Sequence, residues 1–160
     1  MASSFPALFI GRFQPFHLGH VDVVKQILVK HEAVIIGIGS SQYSGLPQNP
    51  FSAGLRRQMI EKSLKEADVP PERFSIFDVP DIHNNETWIS HLEKLLPPFG
   101  AVWSGTSLVQ KLFQKDGKHP IIQPKFNFDI SGTNIRDLMQ KNDPSWLRTV
   151  PVAVARLIKI

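Results

Sequence analysis

The stretch Phe9-Ile10-Gly11-Arg12-Phe13-Gln14-Pro15-Phe16-His17-Leu18-Gly19-His20 sets two imidazoles three residues apart, just after a short apolar run and a Gly-Arg turn. That spacing puts His17 and His20 one turn apart at a helix start. A helix N-terminus offers unpaired N–H groups and partial positive charge, so an anion is its natural guest. Gly19 keeps the start bare, because a Cβ there would take space from a base or phosphate, and Arg12 adds a forked cation. The plainer alternatives are a surface cap or a partial metal site. Zinc would need more ligands, yet the chain has no cysteine, and His31, His83, His91 and His119 are scattered without ligand spacing. The expected chemistry is therefore phosphate binding, with no metal-ligating residues.

Ile130-Ser131-Gly132-Thr133-Asn134-Ile135-Arg136 reads as a second helix start. Ser131 is a good N-cap, Gly132 permits close backbone approach, and Arg136 lies one turn inside. Two such starts point to a triphosphate, although a capped helix followed by an exposed arginine is commonplace. Gly37-Ile38-Gly39-Ser40-Ser41-Gln42 ends an apolar run in small residues, either to admit a ligand or merely to turn. The segment 43–50 is a candidate cover for nucleotide or a plain exposed loop. Ser52 is placed to cap the next helix; of Arg56 and Arg57 behind it, either one meets phosphate or both face solvent. Asp81-Ile82-His83-Asn84-Asn85-Glu86-Thr87-Trp88 joins an indole to a carboxylate and amides, able to stack on a flat heterocycle and read its edge or ribose. Core packing of Trp88 on an apolar stripe is the competing reading.

The elements that must hold these residues alternate. Short apolar runs at Ala7–Ile10, Ala33–Ile38, Phe74–Val79, Ala101–Ser104 and His119–Gln123 predict strands. Between and after them lie helical stripes: Val21, Val24, Ile27 and Leu28; Leu55, Met59, Ile60 and Leu64; Trp88, Ile89, Leu92, Leu95 and Leu96. Leu108, Val109, Leu112 and Phe113 continue the series, then Ile135, Leu138 and Met139, then Val154, Ala155, Leu157 and Ile158. Alternation of this kind predicts an α/β fold: a doubly wound, Rossmann-like domain with a five-stranded parallel sheet and helices on both faces. Its crevice opens at the carboxyl ends of the strands, where the winding reverses, and every motif above follows a strand.

The 160 residues leave room for a single domain spanning 1–160. Hydrophobic content of 42% and charged content of 20% are those of a soluble protein, and no apolar run is long enough to cross a bilayer. Met1-Ala2-Ser3-Ser4-Phe5-Pro6 lacks the features of a secretory signal, and the absence of cysteine fits a reducing, cytoplasmic setting. A net charge of +4 is spread along the chain without a basic run, which favours acidic small molecules over nucleic acid.

Taken together, the motifs resemble the nucleotidyltransferase superfamily marked by His-x-Gly-His and Ser-x-Thr-x-x-Arg signatures, and within it the archaeal-type nicotinamide-nucleotide adenylyltransferases. The resemblance rests on 11–17, 36–42, 49–54, Asp81-Ile82, Asn85 with Trp88, and Ser104-Gly105 with Leu108-Val109, and it covers nearly the whole chain. It implies transfer of the adenylyl group of ATP to nicotinamide mononucleotide, giving NAD and pyrophosphate, with nicotinic acid mononucleotide as a second candidate acceptor. The implied catalytic residues are His17, His20, Arg12 and Arg136. ATP contacts are implied for Gly11, Arg12, Phe13, His17, Gly19, His20, Ser104, Gly105, Ser131, Thr133 and Arg136. Acceptor contacts are implied for Phe13, Ser40, Gln42, Asp81, Asn85 and Trp88. Mg²⁺ held mainly through ATP phosphates and a homo-oligomeric state follow from the same resemblance. The chain departs from the family pattern at Tyr43-Ser44-Gly45-Leu46, where a histidine is missing, at Leu55 in place of a glutamate, and at Thr106 in place of an asparagine. Rival readings are a nucleotidyltransferase for another phosphorylated acceptor and a nucleotide-sensing module without turnover.

Overall fold

Successive residues of the central strands face opposite sides, and that alternation builds two cores. The computed structural model describes residues 5–158; Met1-Ala2-Ser3-Ser4 of the amino-terminal stretch read above lie outside the described residues. Strands β1 (Ala7–Gly11), β2 (Val34–Gly39), β3 (Phe74–Val79), β4 (Val102–Trp103) and β5 (Ile121–Ile122) form one parallel sheet in the order β3-β2-β1-β4-β5. Among the described residues six α-helices accompany them: α1 (Leu18–Lys30), α2 (Ala53–Glu66), α3 (Trp88–Leu95), α4 (Ser107–Asp116), α5 (Gly132–Gln140) and α6 (Val152–Ile158). Ala7, Phe9, Val34, Ile36 and Ile38 pack with Val24 and Ile27 of α1, Met59 and Ile60 of α2, Ile135 of α5 and Val154 of α6. Leu8 and Ile35 turn the other way, onto Ile89 and Leu92 of α3 and Phe113 of α4. Apart from Ala7, each such side chain contributes about 1.5–3 kcal/mol by leaving water. The expected doubly wound sheet with helices on both faces is what forms.

The strand order decides where ligands can go. The chain winds outward from β1 through β2 to β3, then returns to the other side of β1 for β4 and β5. The reversal leaves a crevice at the carboxyl ends of β1 and β4, where Arg12 and Ser104 lie. Strands β4 and β5 are shorter than the expected Ala101–Ser104 and His119–Gln123. Pro120 and Pro124, which have no N–H to donate, bracket β5. Ladder-like bonds continue just past β4, from Leu8 N–H to the Ala101 oxygen at 2.9 Å and from Ser104 N–H to the Ile122 oxygen at 3.1 Å.

Three glutamines fasten the loops around this crevice, each giving and accepting one main-chain hydrogen bond. Gln14 clamps Phe51 at 3.0 and 2.9 Å, Gln26 clamps Lys125 at 2.8 and 2.9 Å, and Gln42 clamps Asp81 at 2.8 and 2.9 Å. A primary amide presents one donor and one acceptor side by side, so it substitutes for a neighbouring strand. The 43–50 segment is also tied to itself, through Gly45 N–H to the Pro50 oxygen and reciprocal bonds between Leu46 and Asn49.

Candidate active site

The two imidazoles close the start of α1 on itself. His17 is its N-cap and accepts the Gly19 N–H at Nδ1 (3.1 Å), while His20 Nδ1 accepts the His17 N–H (3.1 Å), a capping box made by histidines. The rings stack with centroids 3.6 Å apart. Behind them stand Phe13, whose edge meets His20 at 4.8 Å, and Phe16, stacked on it at 5.3 Å. This apolar backing disfavours charge. Burial lowers the His17 pKa to about 4, and burial together with the neighbouring His17 holds His20 well below the usual imidazole value. With Nδ1 accepting in both neutral rings, the proton sits on Nε2, so each ring keeps one N–H donor.

One sequence expectation is corrected here. The backbone N–H groups at the start of α1 are not free for an anion: Leu18 donates to the Thr149 oxygen at 3.0 Å, and Gly19 and His17 donate to the two imidazoles. Side chains carry the donor role at this end. Gly19 is nonetheless required, because an added Cβ would stand 2.9 Å from His17 Cε1.

The start of α5 is arranged differently. Ser131 caps it by accepting the Asn134 N–H at 3.1 Å, and the N–H groups of Gly132 and Thr133 have no partner among the described residues. Arg136 is held from two sides, donating to the Gln14 oxygen at 2.8 Å and to Thr133 Oγ1 at 3.3 Å. A Cβ on Gly132 would press on Arg136 Nη1 at 2.9 Å and the Gln14 oxygen at 3.3 Å. Burial, then the nearby Arg12, pushes the Arg136 pKa down, so two guanidinium groups stand close enough to repel. Arg12 is exposed, and its guanidinium holds no hydrogen bond among the described residues.

Both helix starts open on one cleft of about 400 Å³. Gly11, Arg12, Phe13, His17, Gly19, His20, Ser104, Gly105, Thr133 and Arg136 all line it, whereas Ser131 stays beneath as the cap. Phe13 is 2% exposed, a wall behind His20 more than a contact surface, with its backbone in the left-handed region at φ 53°. Ser104 Oγ accepts the Thr106 N–H at 3.1 Å and shapes the turn after β4.

Ser40, Gln42, Asp81, Asn85 and Trp88 do not line this cleft. Ser40, Gln42 and Asp81 sit in the loops that follow β2 and β3, whose ends pair at Gly39 and Val79; these two loops form the rim, and Asn85 and Trp88 come farther along the chain. Gln42 departs from its expected role, because both ends of its amide are committed to the Asp81 backbone; it positions the rim loops and does not present a free amide. Asp81 Oδ1 accepts the His83 N–H at 3.0 Å, and His83 Nε2 meets the Tyr43 hydroxyl at 2.8 Å, joining the loops a second time. Asn85 is exposed and Trp88 half-buried. The Trp88 indole packs on the α3–α4 core, edge-on to Phe113 at 5.9 Å. Core packing anchors it from behind and leaves part of it open.

Sequence reasoning missed the segment 124–128, of which Lys125, Phe126, Asn127 and Phe128 line the cleft. Asp22 accepts both Gln26 Nε2 and Asn127 Nδ2 at 2.9 Å, so this strap is tied to α1. Phe126 is 64% exposed and lies against Gly105, where any Cβ would run into its ring. Two phenylalanines alternating with polar residues directly before Ser131 were the available signal. Arg56 was misread: it neither meets phosphate nor faces solvent, but is fully buried against main-chain oxygens. Arg57 reaches Asp78 at 3.5 Å. Among the described residues no three metal-ligating side chains gather, and no helix is long and apolar enough to cross a membrane.

Comparison with known proteins gives the family. A family model described as cytidylyltransferase-like matches residues 8–138. The nicotinamide-nucleotide adenylyltransferase of Picrophilus torridus is 41% identical over 153 residues, covering 95% of this chain and 89% of that protein. The chain belongs to the cytidylyltransferase-like family, among its nicotinamide-nucleotide adenylyltransferases. A second member, nicotinamide-nucleotide adenylyltransferase 1 of Sulfolobus acidocaldarius, is 42% identical over 154 residues, 96% of this chain and 88% of its own. Among solved structures, a bifunctional NMN adenylyltransferase/ADP ribose pyrophosphatase from Francisella tularensis superposes with a TM-score of 0.81 at 25% identity. It covers 97% of this chain, which spans about half (49%) of that longer protein. The same bifunctional enzyme complexed with AMP and a manganese ion superposes with a TM-score of 0.74.

Proposed function

We propose that this chain joins nicotinamide mononucleotide to ATP, making NAD and releasing pyrophosphate. The observation that carries the reading is the convergence of two helix starts, with His17, His20, Arg12 and Arg136, on one cleft. An oxygen of the acceptor's 5′-phosphate attacks the α-phosphorus of ATP, a new P–O bond forms, and the bond to the β-phosphate breaks with its electrons leaving on pyrophosphate. The attacking oxygen is already anionic near neutral pH, so no base has to remove a proton. Catalysis then rests on alignment and on donors aimed at charge spreading over the phosphates. Neutral His17 and His20 suit that task, since a ring whose Nδ1 is occupied donates from Nε2 without being a competing base. Arg136, the Gly132 and Thr133 N–H groups and the unbonded guanidinium of Arg12 would take the β- and γ-phosphates. Ser104 and Gly105 would border the adenosine.

Nicotinamide mononucleotide would lie over the β2–β3 rim, with Trp88 stacking on the ring and Asp81, Asn85 and Ser40 around it. The one carboxylate lining the cleft, Asp22, is already bonded to Gln26 and Asn127, so a divalent ion, Mg²⁺ in this reading, would be held mainly by the nucleotide's own phosphates and would supply charge neutralisation there. The 1–160 chain would act as one cytoplasmic nucleotidyltransferase unit and self-associate, which sedimentation analysis checks. Incubation with ATP, Mg²⁺ and either nicotinamide or nicotinic acid mononucleotide tests the main reading. Formation of NAD or its acid analogue with stoichiometric pyrophosphate is expected; binding of both substrates without product would overturn it.

A further inference from the structure

Arg56 is 0% exposed, the largest of the fully buried side chains, and all five hydrogen bonds of its guanidinium go to main-chain oxygens. Nη1 donates to the oxygens of Arg12 and Gly39, both at 2.8 Å. Nη2 donates to those of Ser40 (3.2 Å) and Tyr43 (3.3 Å), and Nε to that of Ser52 (3.3 Å) at its own helix cap. Among the described residues it makes no ion pair, although Asp78 acts on it from farther off. A buried cation whose partners are all neutral carbonyls is a costly way to fill a core, so its worth must lie in what those carbonyls hold.

They hold the two halves of the site. Arg12 carries the unbonded guanidinium of the cleft, while Ser40 and Tyr43 begin the rim loop. Ser40 sits at φ 48°, a left-handed conformation uncommon outside glycine, and the carbonyl it presents is one that Arg56 grips. The two turns also run close together, since a Cβ on Gly39 would stand 3.4 Å from the Gly11 oxygen. We propose that Arg56 is a positioning residue for adenylyl transfer, whose planar fork locks the main chain bearing Arg12 to the main chain bearing Ser40 and Tyr43. The inference rests on the function proposed above. A lysine keeps the charge but gathers its donors at one point, and so cannot span both loops.

The test is a double-mutant cycle with Arg12→Ala and Arg56→Lys, with Arg56→Gln as a second probe, read as kcat and KM per folded molecule. Arg56→Lys is expected to lower kcat by about tenfold or more with both KM values within about threefold, because alignment is lost more than ground-state binding. In the Arg12→Ala background the same change is expected to cost less than about threefold, since the group that Arg56 aims is gone. Losses that simply multiply, or a kcat per folded molecule unchanged in both Arg56 variants, would overturn the role. So would failure of both variants to fold, which would assign Arg56 to the fold alone. An inactive wild-type chain would instead bring down the functional reading itself; an active one with multiplying losses brings down this inference only.

Discussion

On the side proposed for the triphosphate, His17, His20 and Arg136 are each held in place by hydrogen bonds and Arg12 alone is unbonded; on the acceptor side, loops are fixed to one another and the side chains of Asn85 and Trp88 stay at least partly open. His17 and His20 cap their own helix, and Arg136 is gripped by Gln14 and Thr133. Across the rim, Gln42 and Tyr43 bind the Asp81–His83 turn while Asn85 and part of Trp88 face outward. The difference follows the chemistry. Stabilising charge in a transition state requires donors that need not reorganise, whereas recognising a heterocycle tolerates side chains that settle on contact.

The sharpest way to break this comparison is at His17. His17→Ala is expected to lower kcat about a hundredfold or more, and also to cost about 1 kcal/mol as a lost cap. His17→Asn separates the two effects: asparagine caps well, so thermal stability should recover in an unfolding scan while turnover stays low. Recovery of turnover alongside stability would make the imidazole a cap only. A smaller effect, roughly tenfold on kcat, is expected for Gly19→Ala, whose new methyl displaces the His17 ring. The same displacement loosens the His17 cap, so stability should fall by about 1 kcal/mol or less, which melting curves read beside the activity assays.

On the acceptor side, Trp88→Ala is expected to weaken nicotinamide mononucleotide binding by about tenfold, the worth of a stacking contact, and to leave ATP binding unchanged in calorimetry. Equal losses for both ligands would erase the distinction between the sides. Gln42→Glu replaces the donor facing the Asp81 oxygen with an acceptor, and should raise the acceptor KM while costing about 1 kcal/mol of stability.

The last test of the comparison concerns pH. Because the folded His17 pKa is about 4 against 6.5 unfolded, the unfolded chain takes up a proton first as pH falls. Stability is therefore unaffected by this group above pH 6.5 and declines below it, by up to about 1.4 kcal/mol per unit until pH 4. His20, lowered for the same reason, adds in the same direction. Imidazole nitrogen NMR of the free protein at pH 6 should show both rings neutral with the proton on Nε2. Protonated rings at that pH would remove the claim that this side is built from neutral donors.

What could be read from the sequence tracks how local each interaction is. His17 and His20 act within one helical turn, and Ser131 through Arg136 within six residues, so residue type and spacing revealed both helix starts. The sheet was legible for the same reason, since strands alternating with helical stripes leave few ways to wind. Arg56 reads in sequence as one of two polar residues on a helix, and only contacts 44 residues away reveal its partners. Gln42 shows the same limit: the small residues beside it left a ligand contact and a plain turn both open, and only Asp81, 39 residues on, reveals where both ends of the amide go. The ends of β4 and β5 depend on which neighbour offers a carbonyl, information a single strand does not contain.

The amide clamps that frame the crevice carry no net charge, unlike the groups they surround. Ionic strength should accordingly divide the molecule's behaviour in two: added salt loosens the hold on polyphosphate through screening while the scaffold keeps its shape. A lowered substrate affinity at high salt, without any fall in melting temperature, is the signature such a division of labour would leave.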